Sequence, residues 1–263
     1  MMDDDAGSFS GRRFGGVQRL YGLAPAQRIA DAHVVIVGVG GVGSWAAEAL
    51  ARSGVGHLTL IDMDHVAESN INRQVHALET TLGQAKIVAM KERIAQIHPG
   101  CSVTLVDDFV DSENVSVTVP PGADAVIDAC DDLPAKLALV LWCRRQRIPL
   151  VTLGAAGGKT QAHAVSVGDL SEVTHDPLLA RLRYRLRREH GAARDGKKMS
   201  VRCVFSRESV APPDPSCQIQ GDGSLNCHGY GSSVTVTATF GLCAAGLVMN
   251  DLAGAGKFPK KTL

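Results

Sequence analysis

The run His33-Val34-Val35-Ile36-Val37 passes directly into Gly38-Val39-Gly40-Gly41-Val42-Gly43, and Trp45, Ala46, Ala49 and Leu50 then recur at helical spacing between Ser44 and Ser53. A continuous β-branched run of this kind predicts a strand buried on both faces, and the glycines predict the sharp turn that ends it. A second strand, His57-Leu58-Thr59-Leu60-Ile61-Asp62, follows within a few residues of the helix. Strand, helix and strand within about thirty residues form a βαβ unit, because two parallel strands can be joined only by a crossover of that length. The chain must therefore build a parallel sheet with helices covering its faces.

The rhythm continues with a helix over 84–97, strands at 102–106 and 125–129, a helix over 134–145 and a strand at 149–153. The expected fold class is α/β, a doubly wound, mostly parallel sheet with right-handed crossovers. After Gly168 the rhythm is expected to break, since 181–202 is rich in arginine and 211–231 in Gly, Pro and Ser. The expected organisation is a nucleotide domain with an N-terminal arm over 1–168 and a basic, loop-rich extension over 169–263 packed on it. At 263 residues, 45% apolar and 21% charged, the composition is that of a packed globular protein and excludes disordered and collagen-like chains. Residues 229–250 carry no charge. Their Val234-Thr235-Val236-Thr237-Ala238-Thr239 start reads as a hydroxyl-rich prelude to a buried C-terminal helix rather than a membrane span. Met1-Met2-Asp3-Asp4-Asp5 lacks the apolar core of a signal peptide, and seven cysteines with no C-x-x-C spacing suit a reducing cytoplasm.

Gly38-x-Gly40-x-x-Gly43 lies between strand and helix, the context a phosphate-binding turn requires. There the backbone turns tightly, and the N–H groups and dipole of a helix N-terminus favour an anion. Asp62 ends the next strand, placed to accept from ribose hydroxyls. This much would suit NAD. Asp64, Asn70, Arg73, Gln74 and Lys86 then crowd the following 24 positions, and two cations beside a ribose acceptor suit a triphosphate better than a dinucleotide. Ile127-Asp128-Ala129-Cys130-Asp131-Asp132 closes the fourth strand, which neighbours the first in a 3-2-1-4-5 order, so these carboxylates are expected to face the glycine turn. One would serve Mg²⁺, a hard ion needing only one or two protein carboxylates, while Asp131 or Asp132 caps the helix that follows.

In order, Gly38-x-Gly40-Gly41-Val42-Gly43-Ser44, Ile61-Asp62-x-Asp64, Asn70-x-x-Arg73-Gln74, Gly83-x-x-Lys86 and Asp128-x-x-Asp131 resemble the adenylating domain of the ubiquitin-activating-enzyme, HesA, MoeB and ThiF superfamily. Arg13-Phe14-Gly15-Gly16-x-x-Arg19-Leu20-Tyr21-Gly22, the 43–50 helix and Cys203-Val204-Phe205-Ser206 are similar to its branch of bacterial tRNA threonylcarbamoyladenosine dehydratases. The resemblance implies ATP bound by the glycines, ribose held by Asp62, and phosphates contacted by Arg73 and Lys86 with help from Asn70 and Gln74. It also implies Mg²⁺ at Asp131, and a homodimer in which Arg13 or Arg19 reaches the partner's site. Zinc-holding relatives carry paired C-x-x-C motifs, which this chain lacks, so structural zinc is not expected. Cys203, Cys217 and Cys227 lie in the half of the chain in which thioester-forming relatives keep a cysteine. No cationic cluster marks any of them as a thiolate, and Cys227-His228 is only a partial exception.

The net charge of zero gives no overall pull toward a polyanion, yet it is a sum of opposites. Residues 1–180 hold 14 basic and 21 acidic side chains, and 181–263 hold 13 and 6. Arg181, Arg183, Arg185, Arg187, Arg188, Arg194, Lys197, Lys198 and Arg202 face only Glu189 and Asp195 over 22 positions, a one-sign excess expected of an RNA-backbone footprint. The activity that the resemblance implies is ATP-dependent cyclisation of threonylcarbamoyladenosine beside the anticodon, through an acyl-adenylate. A cysteine desulfurase or sulfur-acceptor system is a candidate partner. The alternative within the superfamily is adenylation of a ubiquitin-like sulfur carrier, and those outside it are an NAD-dependent oxidoreductase and an RNA-binding module without chemistry.

Overall fold

The computed structural model describes residues 11–194, 196–214, 216 and 230–254. Cys217, Cys227, His228 and Asp195 lie outside the described residues. Two helices, α1 (Gly11–Tyr21) and α2 (Leu23–Asp31), precede β1 (His33–Val37), α3 (Gly43–Arg52) and β2 (His57–Ile61). Next come α4 (Lys86–Ile97), β3 (Ser102–Val106), the short α5 (Val115–Thr118), β4 (Ala125–Asp128), α6 (Leu133–Gln146) and β5 (Leu150–Leu153). The alternation does not stop at Gly168. β6 (Val165–Asp169), α7 (Pro177–Glu189) and β7 (Arg202–Ser206) extend the same sheet, and α8 (Val234–Leu252) closes the described part of the chain.

Seven strands lie in the order β3-β2-β1-β4-β5-β7-β6, parallel throughout except for β6, which runs antiparallel to β7 at the edge. The continuous apolar run in β1 is used on both faces. Val34 and Ile36 enter the core under α2, α3, α4 and α8, whereas Val35 and Val37 pack on the opposite side against α5 and α6. A third apolar cluster joins Leu137 and Val140 of α6 to Leu179, Leu182 and Leu186 of α7 and to Cys203 and Phe205 of β7. α8 is long and apolar enough, by length and composition, to cross a membrane. One side of it is instead part of the main core, through Val236, Phe240, Ala244, Ala245 and Val248. The helix expected to start at Gln84 starts at Lys86, because Val66 N–H donates to the Gln84 carbonyl (2.8 Å) and holds the preceding residues in a short antiparallel bridge.

Candidate active site

The strand order reverses between β1 and β4, and the chain leaves both strands at the same end of the sheet, where a crevice is expected in folds of this kind. At the exit of β1, Gly38 has φ of 84°, and a Cβ there would lie 2.9 Å from the Ala129 carbonyl group beyond β4. A Cβ on Gly43 would lie 1.8 Å from the Gly38 oxygen. Both positions are closed to any side chain, so the turn folds back on itself and delivers the amino end of α3 to the crevice. Asp62, just past β2, pins this turn: its carboxylate accepts from the Val39 N–H (2.6 Å) and the Asp64 N–H (2.9 Å). Burial pushes the Asp62 carboxyl above the usual carboxylate range, against the opposing pull of Lys86 and of those two N–H groups.

Lys86 opens α4, and its ammonium pairs with Asp64 at 2.6 Å. The Lys86 N–H donates to the Asp64 carbonyl (2.9 Å), so the ion pair is also tied through the backbone. Arg73 is buried, with its stem against Gly41, where a Cβ would lie 3.2 Å from Arg73 Cγ. Its guanidinium donates to the Ser69 carbonyl (2.6 Å) and to Asn72 Oδ1 (2.9 Å). Gln74 faces the same turn, and its side-chain oxygen is buried with no partner among the described residues. Asn70 does not reach the crevice wall. It lies beneath, where its side chain accepts from Ala67 N–H (3.1 Å) and its carbonyl from the N–H groups of Arg73 (3.1 Å) and Gln74 (2.9 Å). It holds the turn that presents those two residues.

The opposite wall comes from the end of β4. Asp132 caps α6, accepting from Ala135 N–H (2.8 Å), which leaves Asp131 exposed in the wall. Beneath them Asp128 and Lys136 form a fully buried ion pair at 3.0 Å, braced by Thr152 from β5 and by the Cys130 thiol, which donates to Asp128 at 2.8 Å. Burial works against the Lys136 charge, but Asp128, Cys130 and Asp176 together outweigh it and hold the ammonium above the ordinary lysine range. Burial and the same carboxylate push the Cys130 thiol well up, so it stays protonated. From β5, Gly154 leaves room for buried Asp176, which caps α7 through Leu179 N–H (2.9 Å) and also accepts from Ala155 N–H (2.9 Å).

The walls enclose a cavity of about 530 Å³ that brings together Gly38, Gly40, Gly41, Asp62, Asp64, Arg73, Gln74, Lys86 and Asp131. A space of this size suits a nucleotide. Phe109, Asp111 and Leu178 also line it. Nothing in their sequence surroundings marks them, because Phe109 and Asp111 lie in the loop after β3, which carries no spacing pattern, and Leu178 lies in the first turn of an arginine-rich helix. Lys136 had a signal, as the one charge in the otherwise apolar stretch from Leu137 back to Leu133. Among the described residues no three His, Cys, Asp or Glu side chains are grouped to hold a metal by themselves. The donor set does fit a Mg²⁺ carried by phosphates, since the exposed carboxylate of Asp131 faces the cavity that Arg73 and Lys86 line, in the company of Asp64, Asp108, Asp111 and Asp132.

Arg13 and Arg19 on α1 are not in the cavity wall. Arg13 donates to the Ile97 carbonyl at the end of α4, and Arg19 is exposed. Of the basic run, three members are drawn into the fold. Arg202 is buried in β7 and paired with Asp251, a correction to its place in an exposed footprint. Arg183 donates to the carbonyls of Leu170 (3.0 Å) and Val173 (2.8 Å), and Arg187 to that of Ala193 (3.1 Å). Arg181, Arg188, Arg194, Lys197 and Lys198 are exposed, and Arg185 pairs with Glu189 at 2.8 Å. Cys203 is buried in β7, and burial holds its thiol well above the ordinary range, as expected of a packed, unreactive cysteine.

Comparison with known proteins agrees with this geometry. The chain is 48% identical over 242 residues to the tRNA threonylcarbamoyladenosine dehydratase of Escherichia coli K12, covering 89% of this chain and 90% of that protein. Its fold matches the crystal structure of the E. coli dehydratase in complex with ATP with a TM-score of 0.84 at 46% identity, over 93% of this chain and 95% of that one. The AMP complex of the same enzyme matches with a TM-score of 0.85 at 46% identity, over 96% and 98%. The family model described as ThiF family matches residues 16–262. With the glycine turn, the Asp62 staple and the two-cation crevice at the switch point, a match over that length means that the chain belongs to the ThiF family.

Proposed function

We infer that the protein is an ATP-using enzyme that dehydrates threonylcarbamoyladenosine in tRNA. The observation that carries this reading is one cavity that brings together Gly38, Gly40, Gly41, Asp62, Arg73, Gln74, Lys86 and Asp131, in a chain that spans nine-tenths of a relative named for that activity. ATP lies with its ribose toward Asp62 and its phosphates toward the glycine turn, Arg73 and Lys86. A threonyl carboxylate oxygen attacks the α-phosphorus, pyrophosphate leaves, and the acyl-adenylate forms. A carbamoyl nitrogen of the same nucleoside then attacks the activated carbonyl. The ring closes, the nitrogen loses its proton, and AMP departs carrying the former carboxylate oxygen, so the nucleoside has lost the elements of water.

Both reacting groups belong to one molecule held at high effective concentration, so no protein nucleophile is needed. Arg73 and Lys86 stabilise the charge that develops on the phosphates, and Asp64 orients the ammonium until a phosphate competes for it. Asp131 is the residue that would hold Mg²⁺, which supplies charge neutralisation between the phosphates when bound. A homodimer, with Arg19 reaching into the partner's site, completes the proposal; Arg13 is the less suitable of the two because it is tied to the end of α4. The C-terminal portion from residue 169, with Arg181, Arg185, Arg188, Arg194, Lys197 and Lys198, faces the tRNA. The cytoplasm is the compartment, and a cysteine desulfurase system is an accessory partner.

Nucleoside analysis of tRNA carrying threonylcarbamoyladenosine, after incubation with ATP and Mg²⁺, tests this directly. The cyclised nucleoside should appear with stoichiometric AMP. Unchanged nucleoside would overturn the reading. Lys86→Ala and Asp131→Ala should each slow pyrophosphate release by roughly 10²–10³-fold, the usual cost of removing one group that stabilises transition-state charge.

A further inference from the structure

α7 begins at the cavity and runs away from it. Leu178 in its first turn lines the nucleotide cavity, and Leu178, Leu179, Leu182 and Leu186 are buried against the body of the protein. The outer face carries Arg181, Tyr184, Arg185 and Arg188 at spacings of three and four residues, which align them along one stripe. Tyr184 is 59% exposed, so its ring is open to a ligand. Arg188 lies over this ring, 5.9 Å from its centroid, and donates to the Tyr184 hydroxyl at 3.1 Å. Arg185 is paired with Glu189, the one carboxylate on the stripe.

A duplex backbone needs only cations. An exposed ring steadied by an arginine and flanked by further arginines suits an unpaired base, whose face stacks on the aromatic while its phosphates meet the cations. Tyr184 lies about 9 Å along the helix from Leu178, at 1.5 Å per residue, so a strand with one nucleotide in the cavity would bring its neighbours along this stripe. We propose that Tyr184, with Arg181 and Arg188, is a stacking platform for an unpaired base of the anticodon loop flanking the nucleotide in the cavity. This rests on the proposed tRNA activity, and it adds a base contact to the purely electrostatic footprint read from the charge run.

The test is equilibrium binding of an unmodified anticodon stem-loop RNA and of a fully paired duplex of equal length, at several salt concentrations. Tyr184→Ala should weaken the stem-loop by about tenfold or more, within the range for one lost base stack, and leave the duplex nearly unchanged. Its slope of log affinity against log salt should equal that of the wild type, because no phosphate contact is lost. Tyr184→Phe should bind like the wild type, and Arg181→Gln should flatten the stem-loop slope by about 0.7. Equal thermal midpoints show that the folds are intact. A stem-loop affinity unchanged by Tyr184→Ala, or equal losses on loop and duplex, would overturn the platform. The readout needs no turnover, so a loop-specific loss alongside unmodified nucleoside products would uphold the platform and refute the dehydration reading instead.

Discussion

Lys136 carries a full charge at zero exposure, beneath the wall that presents Asp131. Removing one partner of a buried pair leaves the other uncompensated, so Lys136→Met should cost about 3–5 kcal/mol in urea unfolding, far more than the same change at exposed Lys91. His76 makes the opposite case, a histidine buried neutral. Burial first, then Lys86 and Arg93, lower its pKa to about 4. The unfolded chain binds that proton at about 6.5, so the contribution is complete above that pH and is lost as pH falls from about 6.5 to about 4. His76→Gln should flatten the fall in stability between pH 7 and pH 5, where each pH unit is worth up to about 1.4 kcal/mol. An identical pH profile in wild type and variant would refute this. Asp62, Arg73, Lys86 and Asp131 were legible because the motif order and the strand ends placed them together. Asn70 was legible as part of the motif but not as a brace, since the turn it holds exists only once the backbone is folded. His76 sits only two residues beyond Gln74, and nothing in its neighbours reveals that α4 covers it.

A tight packing constraint between two helices lies where α8 crosses α3. A Cβ on Gly241 would lie 2.4 Å from the Val42 carbonyl and 2.9 Å from Ala46 N, at the point where α3 leaves the glycine turn. Both close atoms are backbone and cannot swing away, so Gly241→Ala must push the helices apart. The expected cost is about 1–3 kcal/mol of overpacking, accompanied by weaker ATP binding because Val42 also lines the cavity. Gly246→Ala, with nothing within 4 Å of its added methyl, is the matched control and should raise stability by up to about 1 kcal/mol through helix propensity while leaving ATP binding unchanged. An uncharged stretch at 229–250 announced a helix of this kind, but its partner could not be read, because Gly241 looks like any helix glycine until α3 is beside it. The first five strands were equally readable from apolar runs and intervening helices. α7 was not, because five arginines within 181–188 concealed leucines at helical spacing. Nor were the five-residue strands β6 and β7, where a glycine in one and an arginine in the other dilute the apolar signal.

For the molecule as a whole, the seven-charge deficit before residue 181 and the equal surplus from residue 181 onward belong to one sheet-based body rather than to separate folds, since β7 from the basic part pairs directly with β5 from the acidic part. The acidic part still has to neutralise a triphosphate. Within one chain Arg73 and Lys86 line the cavity, while Arg19 stands exposed on the first helix outside it. If a second copy supplies that arginine through a two-fold interface, each site draws its lysine from one protomer and its arginine from the other. Arg19→Ala and Lys86→Ala would then be inactive separately yet complementary when mixed. In a mixed dimer, one site would carry both losses and the other neither. Random re-pairing of equal amounts should therefore restore about a quarter of wild-type turnover, since half of the dimers are mixed and half of their sites are whole. Pyrophosphate release before and after mixing measures this. A mixture no more active than its components would show that each chain completes its own site, and would exclude Arg19 from acting in trans.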